Sequence, residues 1–254
     1  MDITLGSISN PKIVYEIPVY ILFTVLATFI VAILTQVLSH FFANRRDKKK
    51  EFMQKYQDLY SNTLAPLSNY MYIKTNPMKG HDVHEAVEEN DLLEITLIKL
   101  KENIKHASPA LLKVHERYFG HGYKSDGLGG GKERDKHALV YFLLEDMLRT
   151  SKWTGIFSRS DRQRLKQSKY YYGLSAITLH FFNMKFAELV LQMEYRGEAR
   201  KKVKYRGLGK ELLTLDHVKM KKQLLKHLSS ANVNEDKVYR DIIEKLSYKR
   251  GTST

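Results

Sequence analysis

Cysteine is absent from this chain, which excludes structural disulfides and any zinc site built on thiolates. A cysteine-free chain suits a reducing cytosol, although every compartment permits one. Proline is scarce, with five in 254 residues, so long uninterrupted helices are easy to place. Alternation of apolar and polar side chains at a period of two, the mark of half-buried strands, is not sustained anywhere. These absences predict an all-α chain. Charge is missing from one long stretch, because no Asp, Glu, Lys or Arg lies between Glu16 and Arg45.

That uncharged stretch contains Val19–Leu38, VYILFTVLATFIVAILTQVL. An apolar run of about 20 residues is what an α-helix needs to cross about 30 Å of hydrocarbon. Lipid offers no hydrogen bonds to the backbone, so a lone span must be helical. Pro18 stands where a first helical residue needs no N–H. Tyr15 and Tyr20 at one end and Phe41 and Phe42 at the other suit the interfacial aromatic belts. The predicted division is an external tail over 1–18, a transmembrane helix over 19–43 and a cytosolic domain over 44–254. Orientation follows from the flanks. The tail holds only Asp2, Lys12 and Glu16, whereas Arg45, Arg46, Lys48, Lys49 and Lys50 follow the span, and basic residues stay on the cytoplasmic side. A cleaved signal peptide would carry its positive cluster first and a shorter apolar core, so a retained single-pass anchor at the cell inner membrane is expected.

Within the span, Thr24, Thr28, Ala32, Gln36 and His40 recur every fourth residue among bulky aliphatics. Such a ridge of small or polar side chains suits close helix crossings. Thr24, Thr28, Ala32 and Gln36 are therefore candidates for a self-association seam. The alternative has the threonines bonded back to their own helix and Gln36 reaching the interface.

The remaining residues read as an all-helical bundle. Phe52, Tyr56, Leu59, Tyr60, Leu64, Leu67 and Met71 recur at helical spacing, with a bend expected at Pro66. A break follows at Thr75–Gly80. A second helix carries Val83, Val87, Leu93, Leu97, Leu100 and Ile104, and its first half is acidic, as a helix amino terminus favours. Ser108-Pro109 opens a short helix to Phe119. Gly120–Gly131 has six glycines in twelve residues and is predicted to be a flexible loop. Helices are further expected over Glu133–Thr150, from a capping box at Ser160–Gln163 towards Glu194, over Leu208–Leu228 and over Glu235–Tyr248. Leu174–Val190, apolar on most sides, is the expected central core helix.

Several motifs fail on spacing. Gly127–Lys132 lacks the first Gly and the hydroxyl residue of a phosphate-binding loop, and no strand precedes it. His81-Asp82-Val83-His84-Glu85 is not the His-Glu-x-x-His of a metalloprotease. Bundle nucleases use Arg and His separated by four to six residues. Arg117 and His121 are separated by three, and Arg134 and His137 by two. No nucleophile elbow or triad spacing occurs. No catalytic residue, metal ligand or cofactor is assigned, and the chain reads as a binding protein rather than an enzyme.

Basic surplus is the stronger signal. Lysine and arginine total 42 against 28 acidic residues, a formal charge of +14. Arg196, Arg200, Lys201, Lys202, Lys204 and Arg206 crowd into eleven residues with one acid, Glu198. Anionic lipid of the inner leaflet, an acidic protein surface or nucleic acid would each answer that charge. Nucleic acid has no recognition-helix or zinc-finger signature to support it. A further copy of the chain or another protein is the other expected partner.

Tyr141–Leu148 (YFLLEDML) and Lys169–Leu191 (KYYYGLSAITLHFFNMKFAELVL) resemble the phage abortive-infection membrane proteins. In that family a Tyr-Phe-aliphatic helix precedes a Tyr-containing helix ending in Glu-Leu-aliphatic. The chain departs from the family in its single span and in lacking an Arg near Gly173. The resemblance implies an amino-terminal anchor, a helical cytosolic part and a role in anti-phage defence as effector or sensor. It assigns no catalytic residue. The alternative is a membrane-tethered adaptor for a protein or nucleic-acid complex without a defence role.

Overall fold

In a computed structural model the described residues are 19–82, 88–123, 130–198, 207–230 and 244. All regular structure among them is helical. The chain divides into two units, Met1–Asp47 and Lys48–Thr254.

The first unit is described over residues 19–47, within helix α1 (Val19–Lys55). Among the described residues α1 holds the one helical stretch long and apolar enough to cross a membrane, and none of its most apolar eighteen residues is buried. Fifteen large apolar side chains between Tyr20 and Phe42 are exposed.

The second unit begins in the last turns of α1, where Phe52 is buried against Tyr60 and Phe157. A π-helical turn, Tyr56–Tyr60, then leads into α2 (Ser61–Thr75). Pro66, the expected bend, lies inside α2, and the π-helical irregularity comes just before that helix. An extra residue per turn there lets both Leu59 and Tyr60 face inward. The break at Asn76 is as expected; α3 (Lys79–Asp82) and α4 (Glu89–Glu102) follow, while Val83–Val87 lie outside the described residues. Ser108 caps α5 (Pro109–Gly120), accepting from the Leu111 N–H at 3.3 Å with Pro109 in the first turn. Of the glycine-rich loop, residues 124–129 are outside the described set.

Helices α6 (Gly131–Thr150) and α7 (Arg159–Phe181) form the most extensive helix pair. Every residue from Asp135 to Leu144 in α6 and from Tyr170 to Leu179 in α7 is buried, so both are central. They approach closely at Gly173, where an added Cβ would lie 2.7 Å from Cδ2 of Tyr141. The Tyr172 hydroxyl donates to the Leu67 carbonyl at 2.9 Å, tying α7 to α2.

Three boundaries need correction. The capping box is Ser158 with Asp161, not one opened by Ser160. The helix expected to run on to Glu194 stops at Phe181, and α8 (Met184–Glu198) is separate. Phe182 is extended, and the Asn183 side chain accepts from the Phe186 N–H at 3.2 Å, so a cap interrupts the expected core helix. The helix expected over Leu208–Leu228 is likewise two, α9 (Gly209–Thr214) and α10 (His217–Ser230). Leu215 is left-handed at φ 51°, and Asp216 receives the Lys219 N–H at 3.0 Å, starting α10 afresh. Apart from Glu244, the helix expected over Glu235–Tyr248 lies outside the described residues.

Candidate functional site

The seam residues Thr24, Thr28, Ala32 and Gln36 are all exposed on α1. The Thr24 hydroxyl donates to the Tyr20 carbonyl at 2.8 Å and Thr28 to the Thr24 carbonyl at 2.7 Å. Both hydroxyls are thereby satisfied inside their own helix, as serine and threonine commonly are in apolar helices. Gln36 has no hydrogen-bond partner among the described residues. Arg45, Arg46, Lys48, Lys49 and Lys50 are exposed on α1. Of the second basic group, Arg196 lies in α8 with its side chain outside the described set, and Arg200, Lys201, Lys202, Lys204 and Arg206 lie outside the described residues.

The structure assembles a polar constellation that spacing did not disclose. Its centre is Asp135, in the second turn of α6 and fully buried. Arg134 forks onto it, Nε to Oδ1 at 2.9 Å and Nη2 to Oδ2 at 3.0 Å. His121, just past α5, places Nε2 2.8 Å from Oδ2. Arg117 of α5 brings Nη2 to 2.9 Å from Oδ1. That contact pairs charge but lacks hydrogen-bond alignment, since Nη2 and Nε of Arg117 are both buried without a bonded acceptor. Nη1 of Arg117 donates to the Leu212 carbonyl of α9 at 3.1 Å.

From Arg134 the network runs outward. Its Nη1 stands 3.3 Å from Nδ1 of His180 on α7, and Nε2 of His180 stands 3.2 Å from Nδ1 of His217, the first residue of α10. A guanidinium only donates, which fixes the tautomers. Nδ1 of His180 accepts, its Nε2–H donates to His217, and His217 turns an Nε2–H away from the string.

Electrostatics agree with that order. Burial pushes the Asp135 carboxyl upward, but the Arg134 bonds, the Arg117 charge and the His121 bond outweigh it and hold the group below the usual carboxylate range. Burial lowers the hold of the Arg117 guanidinium on its proton, with Asp135 opposing. His180 is pushed down to about 4, first by burial and then by the charges of Arg134 and His217. Two guanidiniums against one buried carboxylate can bind or orient an anion. The basic nitrogen of His180 is occupied by Arg134, whereas His121, donating its Nε2–H to Asp135, keeps Nδ1 as its acceptor nitrogen.

A cleft of about 470 Å³ lies elsewhere, lined by Phe142, Leu148 and the charged groups of α6 and α7. Four of its five charges pair, Lys169 with Glu145 at 3.5 Å and Arg149 with Asp146 at 2.6 Å, and Lys166 is the fifth. His81 pairs with its neighbour Asp82 at 2.9 Å. Among the described residues no three His, Asp or Glu are arranged to hold a metal ion.

Sequence reasoning set aside Arg117 with His121 and Arg134 with His137 for wrong spacing. Arg117, His121 and Arg134 meet at Asp135; His137 turns the other way, with Nε2 3.1 Å from the Tyr70 hydroxyl. The available signal was Asp135 itself, an acid opening the apolar run of α6. No protein-family model, characterised protein or solved structure matches this chain.

Proposed function

We propose that this chain is a membrane-anchored helical binding protein whose second unit faces the cytosol. One observation carries the reading: fifteen exposed large apolar side chains between Tyr20 and Phe42, followed directly by five basic residues in the six from Arg45 to Lys50. Burying such side chains contributes about 1.5–3 kcal/mol each, so leaving all of them in water would cost tens of kcal/mol. Lipid relieves that cost. The basic group supports a cytosolic carboxyl side, and each Lys or Arg near an anionic leaflet adds about 1 kcal/mol.

An effector or sensor role in abortive infection is the functional proposal, supported by the resemblance of Tyr141–Leu148 and Lys169–Leu191. Those residues lie in α6, in α7 and, from Met184, in α8, so the likeness lies mainly in the packing helices, with His180 its one member of the Asp135 network. The second reading, a tethered adaptor, is favoured by the exposed lysines of α10, Lys219, Lys222 and Lys226, which suit an acidic partner. A reporter active only in the cytoplasm should work when fused after Thr254 and fail when fused before Met1. The reverse pattern would overturn the orientation.

A further inference from the structure

The Asp135 constellation holds an excess of positive charge. Arg117 and Arg134 stand against one carboxylate, which leaves one unit of positive charge with all imidazoles neutral. Among the described residues no second acid pairs with the group. Asp216, beside His217, is occupied by Lys219 at 2.6 Å and by the Lys219 N–H. Nε of Arg117 is a buried donor without an acceptor, an arrangement that ordinarily calls for explanation.

The positive charge is reachable from outside. Burial falls away along the string, from Asp135 at 0% exposed through the half-buried Arg134 and His180 to the exposed His217. Every hydrogen along that string points outward from cation to imidazole, so its free end is a donor. We propose that Arg134 and His217, joined through His180 and backed by Arg117 and His121, bind a phosphate-type oxyanion. An oxyanion has several acceptor oxygens, matching the planar Arg134 guanidinium and the outward Nε2–H of His217, which come from different helices. A halide makes no use of that geometry. Burial first, and the neighbouring charge of Arg134 after it, depress the proton affinity of His180, and an anion would relieve the second of these. The inference stands apart from the membrane reading, because all five groups lie within the second unit.

Isothermal titration of the full chain in detergent with inorganic phosphate, at neutral pH and with ionic strength held by chloride, tests it. Saturable one-site binding is expected, weakened at least tenfold in His217→Gln and in Arg134→Gln. His217 is exposed, so His217→Gln tests the site even where Arg134→Gln fails to fold. Titrating a nucleoside 5′-monophosphate in parallel identifies the source. Tighter binding of the ester supports a phosphate ester as ligand, and binding of the free ion alone supports free phosphate. No saturable binding of either, or equal binding by wild type and His217→Gln, would overturn the proposal and leave the constellation as a structural node.

Discussion

Asp135 shows how one acid can organise residues far apart in sequence. Its four close contacts join α5 and α6, and Arg134 extends the network to α7 and α10. The carboxylate is held low, so its contribution to stability is present above the ordinary carboxylate range and is lost as pH falls through its lower folded value. The histidines act at higher pH and in the same sense. The folded protein keeps His180 neutral down to about 4, whereas an unfolded histidine protonates near 6.5. The unfolded chain therefore takes up more protons in that window, and stability falls as pH drops from 6.5 towards 4. His137, pushed to about 3 by burial and by the charges of Lys136 and Lys74, extends the decline. Urea denaturation at pH 7 and at pH 4.5 checks this, and His180→Gln should show the smaller difference between the two.

Among the elements, the α6–α7 pair depends on Gly173. A Cβ there would meet Tyr141 at 2.7 Å and Leu208 at 3.0 Å. The Tyr141 hydroxyl accepts the Leu208 N–H at 2.9 Å, so Tyr141 cannot swing aside without giving up that bond. Gly173→Ala should cost about 1–3 kcal/mol in urea denaturation. Gly80→Ala, with nothing within 4 Å of the added carbon, should be near neutral. In α1, Thr24 and Thr28 are satisfied internally, which leaves Gln36 as the polar group best suited to reach a second span. Pairing through such a group contributes on the order of 0.6–2 kcal/mol. A membrane association reporter carrying the isolated span should show weaker association for Gln36→Leu than for Val31→Leu. Equal association would leave α1 an anchor alone.

Local chemistry made much of this architecture legible. Ser108-Pro109, the break after Thr75 and the apolar run from Val19 each depend on neighbours within a turn or two. Where the reading slipped, a cap was hidden inside an apolar run. Asn183 and Asp216 cap new helices where periodicity alone would continue the old ones. The Asp135 group was illegible for a different reason. Its members come from 117, 121, 134, 135, 180 and 217, and only folding brings those positions together.

For the whole molecule, the central claim is that Val19–Leu38 lies in lipid. The natural absence of cysteine permits a direct measurement, because a single introduced thiol has no background. Val31 is 60% exposed and Tyr123 is 91% exposed, so in water both positions would react with a charged maleimide. In native membranes opened to the reagent on both sides, Tyr123→Cys should label readily and Val31→Cys should stay unlabelled until detergent unfolds the protein. Equal labelling of Val31→Cys and Tyr123→Cys in those membranes would contradict the account.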